Sequence, residues 1–213
     1  MSEPVEPPKP INVRVTGAML TIYEGRVEGC LHAIPLPLWQ AIIGFHRQAS
    51  INWSAETVSY HRWSEKEQRY HTLIPFQNTT KHGLHIDLQW TDPRNAELLD
   101  AYGREHGEDF LPASSIHTHV NTGAFESGTD AADEAGMPGW HITLGHLITH
   151  SRYDFDFRMR LPTGKKIAAL VNTARGHKLT WRNLFEPDAD ENLIHATPGT
   201  TDFHHLLTRI NPT

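Results

Sequence analysis

Ser115-Ile116-His117-Thr118-His119-Val120, then a short loop, then Ser127-Gly128-Thr129-Asp130: this stretch decides how the chain is read. The run Ala113-Ser114-Ser115-Ile116 has no helical period and leads into the histidines as a strand. In a strand, residues i and i+2 share a face, with Cα atoms roughly 6.6 Å apart at a rise of about 3.3 Å per residue. Two imidazoles so placed converge on one ion at about 2.0–2.1 Å each. On a helix the same spacing separates them. His117 and His119 are therefore read as metal ligands on an extended segment, with Thr118 pointing the other way. Asn121, Thr122 and Gly123 are turn formers that send the chain back. Ser127 followed three residues later by Asp130, then Ala131-Ala132-Asp133-Glu134-Ala135, predicts a helix start with capping-box spacing. The return brings Asp130 to the end of the histidine strand. Two histidines and one carboxylate leave the fourth tetrahedral position to water, the pattern of a catalytic rather than a structural zinc. Asp130 has two claims on its carboxylate, cap and metal, and the expectation is that the metal prevails.

His117-x-His119, seven residues, Ser127, two residues, Asp130 resembles the signature of the JAMM (MPN-type, JAB-domain) zinc metalloproteases. The resemblance covers roughly residues 35–175. It implies an α/β (α+β) fold, an MPN/JAB-like, cytidine-deaminase-like mixed β-sheet flanked by helices, with one Zn2+ on His117, His119 and Asp130. The family also has an upstream glutamate as general base, placed after the first long helix and ahead of a segment ending in Asn. Glu56 holds that place, between an apolar helical stretch and Leu73-Ile74-Pro75-Phe76-Gln77-Asn78. Glu24 and Glu28 are rivals, but neither follows the helix. By the same resemblance Ser127 hydrogen-bonds near the reacting water and steadies the tetrahedral oxyanion. Phe125, bordering the site, is a candidate substrate contact, with ordinary packing as its alternative. Val120 and Glu126 stand where the family usually has proline, and Val58-Ser59-Tyr60-His61 replaces its Gly-rich strand.

The activity this implies is zinc-dependent isopeptidase or peptidase cleavage after the C-terminal tail of a ubiquitin-like protein, in deconjugation or precursor maturation. The subgroup it resembles is the deconjugase component of bacterial ubiquitin-like cassettes (PRTRC type A-like). The partners are then a ubiquitin-like protein, its conjugates, and activating (E1-like) and conjugating (E2-like) proteins of the same operon. Two other readings remain: a non-catalytic MPN scaffold binding a partner through a sheet edge or tail helix, and a zinc hydrolase of small peptides.

Bulk composition bounds these readings. A chain of 213 residues with 38% hydrophobic content is one domain of ordinary size with enough apolar surface for a core. A formal charge of −6 argues against nucleic acid, which needs clustered Lys and Arg. No run of eighteen apolar residues is present for a membrane span, and the start has no apolar signal-peptide core. One cysteine excludes an internal disulfide and fits a reducing cytoplasm. Sixteen histidines mean that counting them proves nothing.

Outward from the motif, residues 1–10 carry four prolines and read as an extended lead. Residues 11–34 hold N-terminal strands, 35–187 the catalytic domain and 188–213 a tail. Ile11–Val15 and Met19–Tyr23 are predicted strands. Cys30 with His32 is read as structural rather than as a nucleophile and base. Leu36–Arg47 is a predicted helix with Pro37 in its first turn. Glu56–Trp63, Tyr70–Phe76 and Leu84–Trp90 are predicted strands, and Asp92-Pro93 opens a helix to about Arg104, closed by Gly107. Beyond the motif, Trp140–Ile148, Phe155–Leu161, Lys166–Val171 and Leu179–Phe185 are predicted strands, with a hairpin turn at Pro162–Lys165. His141, His146 and His150 are read as structural or surface histidines. Asp188–Asn192 is an acidic turn. Thr201–Ile210 is a short helix whose Phe203, Leu206, Leu207 and Ile210 dock on the domain.

Overall fold

One long helix and the strand behind it set the frame for everything else. The structure, a computed structural model, describes residues 11–15, 18–23, 26–80, 86–87, 92–111, 114–150, 152–160, 181–196 and 203–212. Helix α1, Leu36–Trp53, begins at Pro35-Leu36-Pro37, where a missing N–H costs nothing. It runs six residues past the predicted end because Ala49 and Ser50 continue its buried face. It stops at Ser54, in the left-handed region at φ 49°, whose N–H returns to Ser50 O. Trp39, Ile42, Ile43 and Phe45 are fully buried along the helix. The Trp39 indole donates to Tyr153 Oη and Ile194 O, 2.9 Å each.

Ser54 turns the chain into the central sheet. Its strands are β4 (Val58–Ser64), β5 (Arg69–Leu73), β8 (Ser114–Thr118), β9 (Trp140–Gly145) and β10 (Asp154–Met159), in the order β10-β9-β8-β4-β5. The pair β8–β9 is parallel and the other neighbours are antiparallel, so the sheet is mixed, as predicted. Helix α3, Gly128–Glu134, makes the crossover from β8 to β9. Helix α2, Pro93–His106, is capped by the Asp92 side chain and ends at Gly107, where φ of 68° suits glycine. The N-terminal strands β1 (Ile11–Val15), β2 (Ala18–Tyr23) and β3 (Arg26–Leu31) form a separate antiparallel meander. The main core joins α1 to Ile116, Trp140, Ile142, Leu144 and Leu147.

The C-terminal part departs from the sequence expectations. Trp181–Leu184 is a 3-10 helix rather than a strand; it lies against the core with Leu184 fully buried. The acidic turn opens a short helix α4, Glu191–His195, because the Asp190 carboxylate accepts from Asn192 N–H. The tail is a 3-10 helix, His204–Arg209, followed by β11, Ile210–Pro212, which pairs in parallel with β6, Gln77–Thr79. Strand β7, Ile86–Asp87, completes that small sheet. Leu207 and Ile210 pack on Phe45, Ala49 and Ile74, so the tail docks on the domain as its apolar face implies. The lead 1–10, most of Leu84–Trp90, the turn Pro162–Lys165 and the strand Lys166–Val171 lie outside the described residues. Among the described residues, no helix is long and apolar enough to cross a membrane.

Candidate metal centre

Strand alternation assembles the site. In the β4–β8 ladder Val58 stands opposite His117 and Tyr60 opposite Ser115. Beyond the ladder's end, Thr118 N donates to Thr57 O and Thr57 N to Thr118 Oγ1, 3.1 Å each. Glu56 and His119 follow just outside these contacts, at the same end of the two strands. By the two-residue period of side chains, Glu56, Val58, Tyr60, Ser115, His117 and His119 all face one side, and those six line one cleft of about 260 Å³. Thr57, Ser59, Ile116 and Thr118 face the other side, toward α1. There buried His46 bonds Thr57 Oγ1 at 2.8 Å and Ser59 Oγ at 2.9 Å.

His117 sits within β8, but His119 lies one residue beyond it. Its N–H still reaches Leu144 O at 2.8 Å, so β9 holds it in line. Val120 then adopts φ 45°. That is an outlier for a β-branched residue, and it marks where the loop breaks away. Proline, with φ fixed near −65°, cannot take this conformation. The loop 122–124 presses on β9 so closely that a Cβ on Gly145 would lie 2.7 Å from Thr122 O.

The loop delivers Asp130 to the histidines. Asp130 Oδ1 lies 3.2 Å from His117 Nε2 and Oδ2 lies 3.4 Å from His119 Nε2. Ligands at about 2.0–2.1 Å on a tetrahedral zinc are roughly 3.3 Å apart, so these two separations fit a shared ion. All three donors fall within 4.8 Å of one another, and the side chains are largely buried. The donor set of two imidazoles and a carboxylate suits zinc or a similar divalent ion. The cap at Asp130 is fully formed. Asp130 Oδ2 accepts from Ser127 N–H at 2.7 Å while Ser127 Oγ accepts from Asp130 N–H at 3.1 Å, a complete capping box. A carboxylate has enough lone pairs for both tasks, and the cap aims Asp130 at the histidines.

The two carboxyls of the cleft are shifted in opposite directions. Burial pushes the Glu56 carboxyl up; His119 opposes this and Asp130 adds to it, leaving it at about 7. Burial also works to raise Asp130, but hydrogen bonds from His117 and His119 hold it well below the usual carboxylate range. Burial acts to lower His119, yet Asp130 and Glu56 raise it above the ordinary histidine value.

A supporting network went unread in the sequence. Thr143, opposite His117 in the β8–β9 ladder, has its hydroxyl 3.2 Å from His117 Nε2 and accepts from Arg158 at 2.9 Å. Arg158 also grips buried Glu134, at the end of α3, through contacts of 2.5 and 3.1 Å. Arg160 reaches Glu134 at 3.2 Å and pairs with Glu126. Glu126, just ahead of the cap at Ser127, thus carries an ion pair. Burial alone would raise the Glu134 carboxyl, but Arg158 brings it below its ordinary value. The signal was available: Arg158-Met159-Arg160 is an i, i+2 pair on a strand, like the histidines.

Phe125 is half exposed, with its ring 4.7 Å from that of His119. His32 stacks on Trp63 at 3.8 Å, and His141 bonds Ser115 Oγ and Met137 O at 2.8 Å each. Both are structural. The side chains of Glu24, Glu28 and Cys30 lie outside the described residues. No protein-family model matches the chain, and no curated protein matches it.

Proposed function

We propose that this chain is a zinc-dependent hydrolase of the JAMM type, cleaving a peptide or isopeptide bond after the C-terminal tail of a ubiquitin-like protein. The observation that carries the reading is the placement of Glu56. It lines the same cleft as His119, with its carboxyl raised to about 7 beside the Asp130 carboxylate held low. A general base is most effective when poised near working pH. A zinc ion held by His117, His119 and Asp130 supplies Lewis acidity, polarising an amide carbonyl and acidifying water.

The chain's own residues do the rest. Glu56 takes the proton of the attacking water and returns it to the leaving amine. Ser127 Oγ accepts from Asp130 N–H, so its own proton is available to a developing oxyanion, an interaction worth about 3–4 kcal/mol in hydrolases. Val58, Tyr60, Met137 and Phe125 give the cleft an apolar wall suited to an extended tail. The ubiquitin-like substrate, its conjugates and the activating and conjugating partners are proposed from the motif alone.

The test uses a ubiquitin-like protein carrying a short extension past its tail, incubated with zinc-loaded enzyme and followed by mass spectrometry with and without chelator. Chelator-sensitive release of the extension is expected. Release that persists unchanged in chelator contradicts a metal-dependent reaction. Cleavage of dipeptides but not of the tail moves the assignment to a small-peptide hydrolase.

A further inference from the structure

A second cluster of ligand-type side chains lies away from the cleft, among the β4–β5 turn, β5 and the end of α2. Glu67 is in the turn, His71 is on β5, and His106 is the last residue of α2. Glu67 Oε1 is 2.7 Å from His106 Nδ1, and Glu67 Oε2 is 3.4 Å from His71 Nε2. The two imidazole rings are 4.4 Å apart. One donor atom from each residue falls within 4.8 Å of the others.

The telling atom is His71 Nε2. The His71 side chain is 93% buried, from its 7% relative exposure, and this nitrogen has no hydrogen-bond partner. A buried ring nitrogen left unmatched carries a desolvation cost that needs a compensating partner. It faces the Glu67 carboxylate at a separation that suits two ligands of one ion better than a hydrogen bond. We infer that Glu67, His71 and His106 form a second divalent-metal site, which fastens the β4–β5 turn to the end of α2.

Two imidazoles and a carboxylate favour Zn2+ or Co2+ over Mg2+ or Ca2+. The C-terminal end of α2 favours a cation through its backbone carbonyl dipoles, and Lys66 Nζ already exploits this, donating to His106 O at 2.7 Å. Arg69 now pairs with Glu67 at 2.5 Å, but it is 62% exposed and swings into solvent when an ion takes the carboxylate. Opening the Glu67–His106 contact to ligand spacing needs only a rotation of Glu67, which is a quarter exposed. The site opens on a cleft lined by His71, Tyr102, Glu105 and His106, which leaves room for water as a further ligand. Its three residues come from separate elements, so no sequence motif announces it.

The experiment is zinc titration of chelator-stripped full-length protein, with metal per chain counted by elemental analysis after gel filtration. Wild type is expected to retain two zinc ions. Glu67→Gln and His71→Phe are each expected to retain one, and His119→Ala one. Glu67→Gln changes a partly exposed group and keeps the test valid if His71→Phe fails to fold. Retention of a single ion that disappears in His119→Ala overturns the second site, as does retention of two ions in Glu67→Gln. A single ion kept in His119→Ala and lost in Glu67→Gln upholds this site and counts against the first.

Discussion

Glu56→Gln is expected to reduce cleavage by roughly 10²–10⁴-fold, the range for losing a general base, while zinc at His117, His119 and Asp130 is retained. The substitution keeps shape and removes only the ability to accept a proton. The same variant has a stability signature. Glu56 in the folded chain titrates at about 7, above its ordinary value, because burial disfavours the charge. A carboxyl raised on folding is a cost once ionised, so the metal-free wild type is expected to lose stability as pH rises from the ordinary carboxyl range through 7. Glu56→Gln is expected to lack that loss. Melting temperatures of both metal-free proteins from pH 4.5 to 8 check it. Parallel curves, or undiminished turnover, remove Glu56 from its assigned role.

Arg158→Ala is expected to be the most damaging substitution to the fold around the site. Arg158 and Glu134 are 5% and 3% exposed, and deletion strands a buried carboxylate with Arg160 as its remaining partner. Breaking a buried pair costs about 3–5 kcal/mol, and a domain of this size loses about 2–4 °C of Tm per kcal/mol, so a fall of roughly 6–12 °C is expected at the low end. Zinc affinity is expected to fall as well, because Glu134 closes α3, which carries Asp130. Replacing both members, Arg158→Met with Glu134→Leu, is expected to recover most of the stability, since no buried charge is then unpaired. A Tm change under 2 °C in Arg158→Ala contradicts this account of the network.

The meeting of His117, His119 and Asp130 was legible in the sequence because a strand's two-residue period and a helix cap are local rules. His117, His119, Ser127 and Asp130 needed only those rules, and Glu56 needed only its place between helix and strand. The mixed sheet and flanking helices were implied by the resemblance, while apolar alternation and helical period located the individual segments. What escaped depends on tertiary contact. Pairing of β4 with β8 brings Glu56 and His119 to one cleft, and no single segment encodes it. The positive φ of Val120 follows from the loop's exit against β9. The tail's closing strand exists because β6 offers an edge to pair with. Glu67, His71 and His106 meet only when the β4–β5 turn packs on α2, so their spacing in the chain carries no signal.

The most direct measurement is an anomalous difference map at the zinc edge from crystals of zinc-loaded protein. The account requires a peak within about 2.0–2.2 Å of His117 Nε2, His119 Nε2 and an Asp130 oxygen, with Glu56 beside the open position. Zinc-loaded crystals with no peak among these three side chains, or with zinc bound there and Glu56 turned away from it, would contradict the account.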